Sequence, residues 1–148
     1  MDFDNFAVAD KPQINLGNDT VVCDKITLYG NPLHKKWDMV WNKYKATEDT
    51  LVAKSSGNYW CTATDSIYGI SNSDTVHVDV YPTPNVKFGP DQILCIGNTV
   101  TLNPGKFNGY KLNWSTGDTT ATIDVSTGGT YRVTVTAPAG CYGMDTII

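Results

Sequence analysis

The stretch from Tyr110 to Thr136 constrains the fold of this chain more than any other part. Apolar and polar residues alternate along three short runs in it, YKLNW, TIDV and YRVTV, and turn-forming residues separate the runs. Alternation with a period of two places every second side chain on the same face of a β-strand. No segment of the chain shows the 3.6-residue period of an amphipathic helix. We therefore predict an all-β chain whose short strands pack as a β-sandwich.

The chain contains two divergent copies of one pattern, 72 residues apart (84 − 12). PQINLGNDTVVC begins at Pro12 and PNVKFGPDQILC begins at Pro84. A repeat of this length, with its own set of strands, predicts two domains in tandem. Later positions of the copies match at nearly the same offset: Gly17 with Gly89, Asp19 with Asp91, Cys23 with Cys95, Leu28 with Leu102, Trp37 with Tyr110, Trp41 with Trp114, Gly57 with Gly129, and Tyr59 with Tyr131.

Prolines mark the joint between the two copies. The segment Tyr81-Pro82-Thr83-Pro84 is held extended by its prolines, which also lack backbone donors. We predict a first domain over residues 12–82, a second over residues 83–148, and a linker or the end of a preceding segment over residues 1–11. The first copy continues through residues 77–80, whereas the second copy stops at Ile148. This difference suggests that the second copy was trimmed close to its fold or that more chain follows.

Composition and charge exclude several classes of protein. The formal net charge of -4 over 148 residues argues against nucleic-acid binding, which needs a basic surface. No apolar run approaches the roughly 20 residues of a membrane-spanning helix, so direct membrane insertion is not expected. The first ten residues lack the charged and apolar regions of a secretion signal. The chain is therefore expected to be either cytosolic or a piece of something larger, and the features below favour the larger protein.

The four cysteines, two in each copy, favour disulfides over a metal site. They form no CxxC pair, and only two histidines accompany them, so we predict no zinc and no other metal. One disulfide per copy is the prediction, Cys23 with Cys61 and Cys95 with Cys141, which would place the chain in an oxidising compartment. Four buried thiols are the alternative.

An early cysteine, a mid-domain tryptophan and a tyrosine after a glycine turn resemble the immunoglobulin pattern. The first copy presents them as Cys23, Trp41 and Tyr59-Trp60-Cys61. Its Tyr-x-Cys end predicts a tyrosine corner, in which the hydroxyl bonds to backbone just upstream, and a bridge between strands. The second copy has Val133 in place of Cys61, so a bridge there would differ in geometry. We expect two tandem immunoglobulin-like β-sandwich domains.

The second copy also resembles the Ig-like repeats of very large surface proteins of Bacteroidetes. Such repeats occur in gliding-motility adhesins and in other proteins exported by the type IX secretion pathway. The resemblance implies an extracellular, non-catalytic structural or adhesive module at the bacterial cell surface, with no cofactor and with other domains of the same protein as partners. The first copy lacks two motifs of the second copy, the WSTG turn at residues 114–117 and the Gly-Cys pair at residues 140–141. The matching residues are Phe88-Gly89-Pro90-Asp91, Cys95, Gly97, Thr101-Leu102, Trp114-Ser115-Thr116-Gly117, Gly129-x-Tyr131 and Gly140-Cys141 with Asp145-Thr146-Ile147.

The stretch from Tyr29 to Tyr44 is a candidate sugar-binding region. It is rich in aromatic residues and lysines, and an aromatic plane beside polar donors suits the CH face of a sugar ring. Trp37, Met39 and Trp41 alternate within it, which predicts that these three face the core instead. The candidate ligand-binding residues in this stretch are His34, Lys36 and Tyr44.

Trp60 is the fourth candidate for ligand binding. It lies between Tyr59 and Cys61, both predicted to point inward, so the alternation of a strand directs Trp60 outward. It either contacts a ligand or packs beneath a neighbouring loop or domain. Together with the Tyr29–Tyr44 stretch, it supports an alternative function, a carbohydrate-binding accessory module of a secreted polysaccharide-degrading enzyme. The partner would then be a surface polysaccharide or another glycan.

No catalytic constellation can be assembled from the sequence. The histidines are far apart, and neither a nucleophile motif nor a glycine-rich phosphate loop is present, so we predict that the chain is not an enzyme.

A three-residue motif, Asp followed by Thr or Ser and then an apolar residue, recurs along the chain and resembles the O-glycosylation acceptor pattern of secreted Bacteroidetes proteins. The alternative is that turns and strand starts favour these residues. The five motifs begin at Asp19, Asp49, Asp65, Asp74 and Asp145.

Overall fold

The structure is a computed structural model that describes residues 11–30, 37–42 and 48–148. The described residues form eleven β-strands and no α-helix, which confirms the all-β prediction. The chain divides into two compact units, Met1–Val80 and Tyr81–Ile148. The domain boundary predicted from the prolines, Pro82/Thr83, lies slightly later in the chain. Within the described residues, no helix has the length and apolar character needed to cross a membrane.

The first unit is a sandwich of a four-stranded and a two-stranded sheet. The larger sheet has the order β1-β6-β5-β3, and the smaller one pairs β2 with β4. The pairs β3–β5, β5–β6 and β2–β4 are antiparallel. The strands are β1 (Thr20–Cys23), β2 (Ile26–Tyr29), β3 (Asp38–Trp41), β4 (Thr50–Ala53), β5 (Gly57–Thr64) and β6 (Ser71–Tyr81).

The second unit repeats this plan with one strand fewer. Its larger sheet has the order β11-β10-β8, and its smaller sheet pairs β7 with β9. Strands β7 to β11 therefore correspond to β2 to β6, whereas residues 92–95, which match β1 in sequence, belong to no strand. The strands are β7 (Val100–Leu102), β8 (Lys111–Trp114), β9 (Ile123–Val125), β10 (Tyr131–Thr136) and β11 (Tyr142–Ile147).

A buried tryptophan lies at the centre of each core. Trp41 and Trp114 are each 2% exposed. Met39 is buried and Trp37 is partly buried against the same cluster, which confirms that these alternating residues face the core. Each buried indole also has a partner for its N–H: Trp41 Nε1 donates to the Glu48 carbonyl at 3.0 Å, and Trp114 Nε1 donates to the Thr120 carbonyl at 2.8 Å. Burial with a satisfied donor makes these residues anchors of both sandwiches.

Both units contain a tyrosine corner. The Tyr59 hydroxyl donates to the Ser55 carbonyl at 2.6 Å, and the Tyr131 hydroxyl donates to the Thr127 carbonyl at 2.8 Å. Each tyrosine bonds four residues upstream, so it fixes the turn that leads into the long central strand. The tyrosine corner predicted for the first copy is confirmed, and the second copy shares it.

The predicted disulfide pairing is wrong. Cys23 and Cys141 are disulfide-bonded, whereas Cys61 and Cys95 carry free thiols. Cys23 cannot face Cys61 across the core because it ends β1, which lies in the same sheet as β5. A turn at Asp24, whose φ is 61°, separates β1 from β2. The early cysteine therefore lies one strand before the strand that faces Cys61.

Gly30 is the residue that faces Cys61 from the opposite sheet. It follows β2 directly, two positions after the buried Leu28, so both point toward the core. A Cβ atom placed on Gly30 would lie 2.9 Å from the Cys61 sulfur. The second predicted bridge fails as well, because Cys95 lies exposed outside any strand.

Candidate functional site

Trp60 is presented to solvent by the alternation of β5. Its neighbours in the strand, Tyr59 and Cys61, are 2% and 0% exposed, whereas Trp60 is 39% exposed. The expectation that Trp60 points outward is therefore confirmed. Trp60 and its neighbours on the outer surface of the larger sheet form the candidate site of the first unit.

The backbone of Trp60 is held on both sides. On β6, Thr75 lies directly opposite Trp60. On the other side, the N–H of Asn42 donates to the Trp60 carbonyl at 3.2 Å, and the N–H of Trp60 donates to Asn42 Oδ1 at 3.3 Å. The position of Trp60 is therefore fixed by the sheet, while its ring remains available at the surface.

A polar cluster lies beside the indole. His77 lies opposite Asn58, and His77 Nδ1 is 2.6 Å from Asn58 Oδ1. His77 Nε2 lies 3.4 Å from Asp79 Oδ1, and both side chains are nearly half exposed. We call this surface the Trp60 face. Its members, which share the outer side of the larger sheet, are Val40, Asn58, Trp60, Thr75, His77 and Asp79.

The Trp60 face offers the chemistry of a binding surface. An exposed indole beside an amide, an imidazole, a hydroxyl and a carboxylate can stack on an apolar plane and form hydrogen bonds at its edge. Among the described residues, no group of three or more His, Cys, Asp or Glu side chains could hold a metal ion. The other predicted ligand-binding residues, His34, Lys36 and Tyr44, lie outside the described residues.

Cys61, directly behind the Trp60 face, is not a reactive thiol. The pKa of Cys61 is raised to about 11, mainly by burial; a hydrogen bond from the backbone of Val40 lowers it in part, and the charge of Asp49 adds to the increase. The thiolate is the nucleophilic form of cysteine, so a thiol that stays protonated at neutral pH is inert.

A second feature, which the sequence analysis missed, is a pair of aspartates that ties the first segment of each unit to its last strand. In the first unit, Asp74 Oδ2 accepts the N–H of Leu16 at 2.8 Å. In return, Asp19 Oδ1 accepts the N–H of His77 at 2.8 Å. Asp74 Oδ1 also accepts the N–H of Thr75 at 2.8 Å. We call this reciprocal arrangement the aspartate latch.

The second unit contains the same latch, atom for atom. Asp145 Oδ2 accepts the N–H of Phe88 at 2.8 Å, and Asp91 Oδ1 accepts the N–H of Ile148 at 3.0 Å. The N–H of Phe88 is the main cause of a lowered pKa for Asp145, followed by the N–H of Thr146, and Lys87 lowers it further. Hydrogen bonds to the charged form favour that form.

The latch explains two repeated motifs of the sequence. LGND and FGPD supply Asp19 and Asp91, and the two Asp-Thr-apolar motifs in the last strands supply Asp74 and Asp145. The signal that could have revealed it was the matched offset of these motifs. At Asp74 and Asp145 the geometry favours a structural role for the Asp-Thr pattern. Asp65 serves a turn instead, since its Oδ1 accepts the N–H of Ile67 at 2.8 Å.

Comparisons with known proteins extend the description of the fold. No protein-family model matches the sequence, and no curated protein matches it. The solved structure "Drosophila OTK, extracellular domains 3-5" is similar, with a TM-score of 0.53 and 17% identity over 88% of this chain and 58% of that one. A second, "Crystal structure of Dscam1 isoform 7.44, N-terminal four Ig domains", has a TM-score of 0.50 and 16% identity over 97% of this chain and 44% of that one.

These similarities concern the fold alone, because the identities are low. The chain spans about half the length of the two structures. Both are similar to this chain in fold across 88% and 97% of its length. The chain is therefore a tandem of two immunoglobulin-like β-sandwich domains.

Proposed function

We propose that the chain is a non-catalytic structural module of a large extracellular protein, which spaces or presents other domains at a bacterial surface. The observation that carries the proposal is the aspartate latch, which recurs with the same atoms in both units. The resemblance of the second copy to adhesin repeats of the gliding-motility and type IX secretion class supports this assignment. The disulfide-bonded Cys23 and Cys141 fit an oxidising, extracellular location. Other domains of the same protein are the expected partners.

The latch has the geometry of a mechanical clamp. Pro12 contacts Asn72, Leu16 contacts Asp74, and Asp19 contacts His77, so the first segment and β6 advance in the same direction. Tension on the two ends of the unit would pull these parallel segments past each other. All of the bonds between them then carry the load together, instead of opening one at a time. A spacer under tension needs this resistance.

Removing the latch should weaken the first unit under force. We expect Asp74→Ala to unfold about tenfold faster at a fixed force, because a hydrogen bond to a charged group contributes roughly 1.5–3 kcal/mol. Single-molecule force spectroscopy of the full chain measures this rate. Asp38→Ala on the exposed side of β3 is the matched control, and it should leave the rate unchanged. Equal rates for the two variants would count against the clamp and against the spacer proposal.

The Trp60 face favours a second candidate function, a carbohydrate-binding accessory module of a secreted polysaccharide-degrading enzyme. Stacking of a sugar on an aromatic ring needs an accessible indole held in place, which the exposure and the backbone contacts of Trp60 support. His34, Lys36 and Tyr44 remain proposed contributors to this surface.

A glycan screen separates the two candidates. If the second is correct, a panel of polysaccharides and surface glycans should include one that binds saturably. Trp60→Ala should weaken that binding at least tenfold. Tyr142→Ala, which removes a 59% exposed aromatic side chain from β11 of the other unit, is the control and should have no effect. An absence of binding up to about 1 mM, roughly −4 kcal/mol, would reject the carbohydrate-binding module.

A further inference from the structure

The second unit has a cationic outer surface in the place that the Trp60 face takes in the first unit. Arg132 of β10 matches Trp60 in the repeat, and it lies exposed beside the buried Val133. The pairings of β10 with β8 and with β11 set the outward residues of the three strands side by side. We call this surface the Arg132 face. Its members, which share the outer side of the larger sheet, are Lys111, Asn113, Arg132, Thr134, Thr136, Tyr142, Met144 and Thr146.

The two faces carry opposite charges. Lys111 and Arg132 are the charged members of the Arg132 face, and no carboxylate in the described part of the chain pairs with the Arg132 guanidinium. The Trp60 face carries the carboxylate of Asp79, whose side chain is 46% exposed. Unlike charges favour contact between the two kinds of face, whereas like charges disfavour contact of either face with itself.

Each face also exposes apolar side chains beside its charge. Tyr142 and Met144 of β11 are 59% and 50% exposed, and Trp60 is 39% exposed. Tryptophan, tyrosine, methionine and arginine are the residue types enriched at protein–protein interfaces, and the first two often anchor them together with arginine. The composition of the two faces therefore favours a protein as the partner.

The anchors of the two faces have matching spacings. Thr75 lies opposite Trp60, and Asp79 lies four residues further along β6. Tyr142 and Arg132 also lie on neighbouring strands, β11 and β10, with an offset of four residues. Either pair therefore spans about 14 Å of sheet. The aromatic residue is on the central strand of one face and on the neighbouring strand of the other, so the two offsets are mirror images, as surfaces that meet face to face require.

We propose that the Trp60 face of one copy of this chain docks on the Arg132 face of a second copy. Trp60 of one copy then lies against Tyr142 of the other, and Arg132 pairs with Asp79. Strand β5 lies over β11, and β6 lies over β10. Because two different faces meet, the contact is heterologous, and each pair of copies leaves one face of either kind for a further copy.

This self-association goes beyond the spacer function and does not depend on it. It gives the Trp60 face a protein partner, whereas the second candidate function gives the same face a glycan. Trp60→Ala is expected to weaken either interaction. Arg132→Glu is expected to weaken the self-association alone, so the two uses of the face can be told apart.

Sedimentation equilibrium of the complete 148-residue chain tests the proposal, with Cys95→Ser in every protein to prevent disulfide-linked dimers through the exposed thiol. The average mass should rise with protein concentration up to about 1 mM, and added salt should reduce the rise because it screens exposed charges. Arg132→Glu, Asp79→Arg and Trp60→Ala should each weaken the association at least tenfold. Lys106→Glu makes the same change of charge on an exposed loop of the second unit, so it is the matched control and should have no effect.

Mixing the two charge-reversed variants separates a lost contact from a lost fold. Arg132→Glu and Asp79→Arg should each associate weakly alone, whereas their equimolar mixture should associate as strongly as the parent. In the mixture, the reversed charge on the first unit of one variant meets the reversed charge on the second unit of the other, and a misfolded variant could not restore this contact. A parent that stays monomeric up to about 1 mM, association unchanged by both reversals, or a mixture no stronger than its components would overturn the proposal.

Discussion

Replacing Gly143 with alanine is expected to unfold the second unit. A Cβ atom at this position of β11 would lie 2.0 Å from the Pro84 carbonyl oxygen and 3.0 Å from the carbonyl carbon. These are backbone atoms of a buried residue, and the latch between Phe88 and Asp145 holds the segment in place. The segment must therefore separate from β11, at a cost of about 3 kcal/mol or more. A domain of this size has only about 3–10 kcal/mol of stability.

Trp114 makes this effect measurable, since the other three tryptophans belong to the first unit. Fluorescence-monitored urea unfolding should show the loss of the second unit with the first unit retained. Gly128→Ala is the matched control, because its Cβ meets no atom within 4 Å, and it should change the free energy of unfolding by less than about 1 kcal/mol. Normal stability of Gly143→Ala would show that β11 and the Pro84 segment are not packed as described.

At the position that matches Gly143, the first unit has a side chain that contacts the first segment of the unit. Asn72 matches Gly143 in the repeat, and Asn72 Nδ2 donates to the Pro12 carbonyl at 3.0 Å. Pro12 in turn matches Pro84, and both prolines are buried. The same junction is therefore closed by a hydrogen bond in one unit and by direct backbone approach in the other. The glycine is required only in the second case.

Gly30→Cys is expected to form a disulfide with Cys61 and to stabilise the first unit. A Cβ at Gly30 would lie 2.9 Å from the Cys61 sulfur, and disulfide geometry requires about 3 Å between these atoms. The bond would close a loop of 31 residues (61 − 30), which stabilises the unit by about 3.7 kcal/mol according to the loop-entropy argument. Crowding opposes part of this gain, because the new atom also lies 2.7 Å from Met39 Cε and 2.9 Å from Trp41 Cζ2. Met39 can move, since Cε is the end of a flexible side chain.

The crowding and the covalent bond can be separated experimentally. Gly30→Ala adds the same atom without a bond and should destabilise the first unit by about 1–3 kcal/mol. Gly30→Cys, made with Cys95→Ser to remove the exposed thiol, should instead unfold at higher urea than the Cys95→Ser parent. Peptide mapping should recover a cross-link between the substituted position and Cys61. Failure of this cross-link to form under oxidising conditions would contradict the placement of Gly30 opposite Cys61.

Local sequence patterns predicted most of the strands, the tandem repeat and the direction of individual side chains. Period-two alternation is a local property, so it correctly placed Trp41 in the core and Trp60 at the surface. The tyrosine corner was also predictable, because Tyr59 bonds to backbone only four residues away. Each of these features depends on residues close together in the chain.

Contacts between residues that are distant in the chain could be identified from the folded structure alone. The prediction of a Cys23–Cys61 disulfide failed because Cys23 ends β1, which lies in the same sheet as Cys61, whereas the strand that faces Cys61 begins only after the turn at Asp24. The residue that does face Cys61 is Gly30, and a glycine at that position gives no indication in the sequence of what it contacts. In the first unit, the latch joins residues 58 positions apart. Alternation reveals which face of a strand is buried, but partner choice depends on how the strands are ordered in the sheets and packed across the core. That order is a property of the folded chain, so no local pattern encodes it.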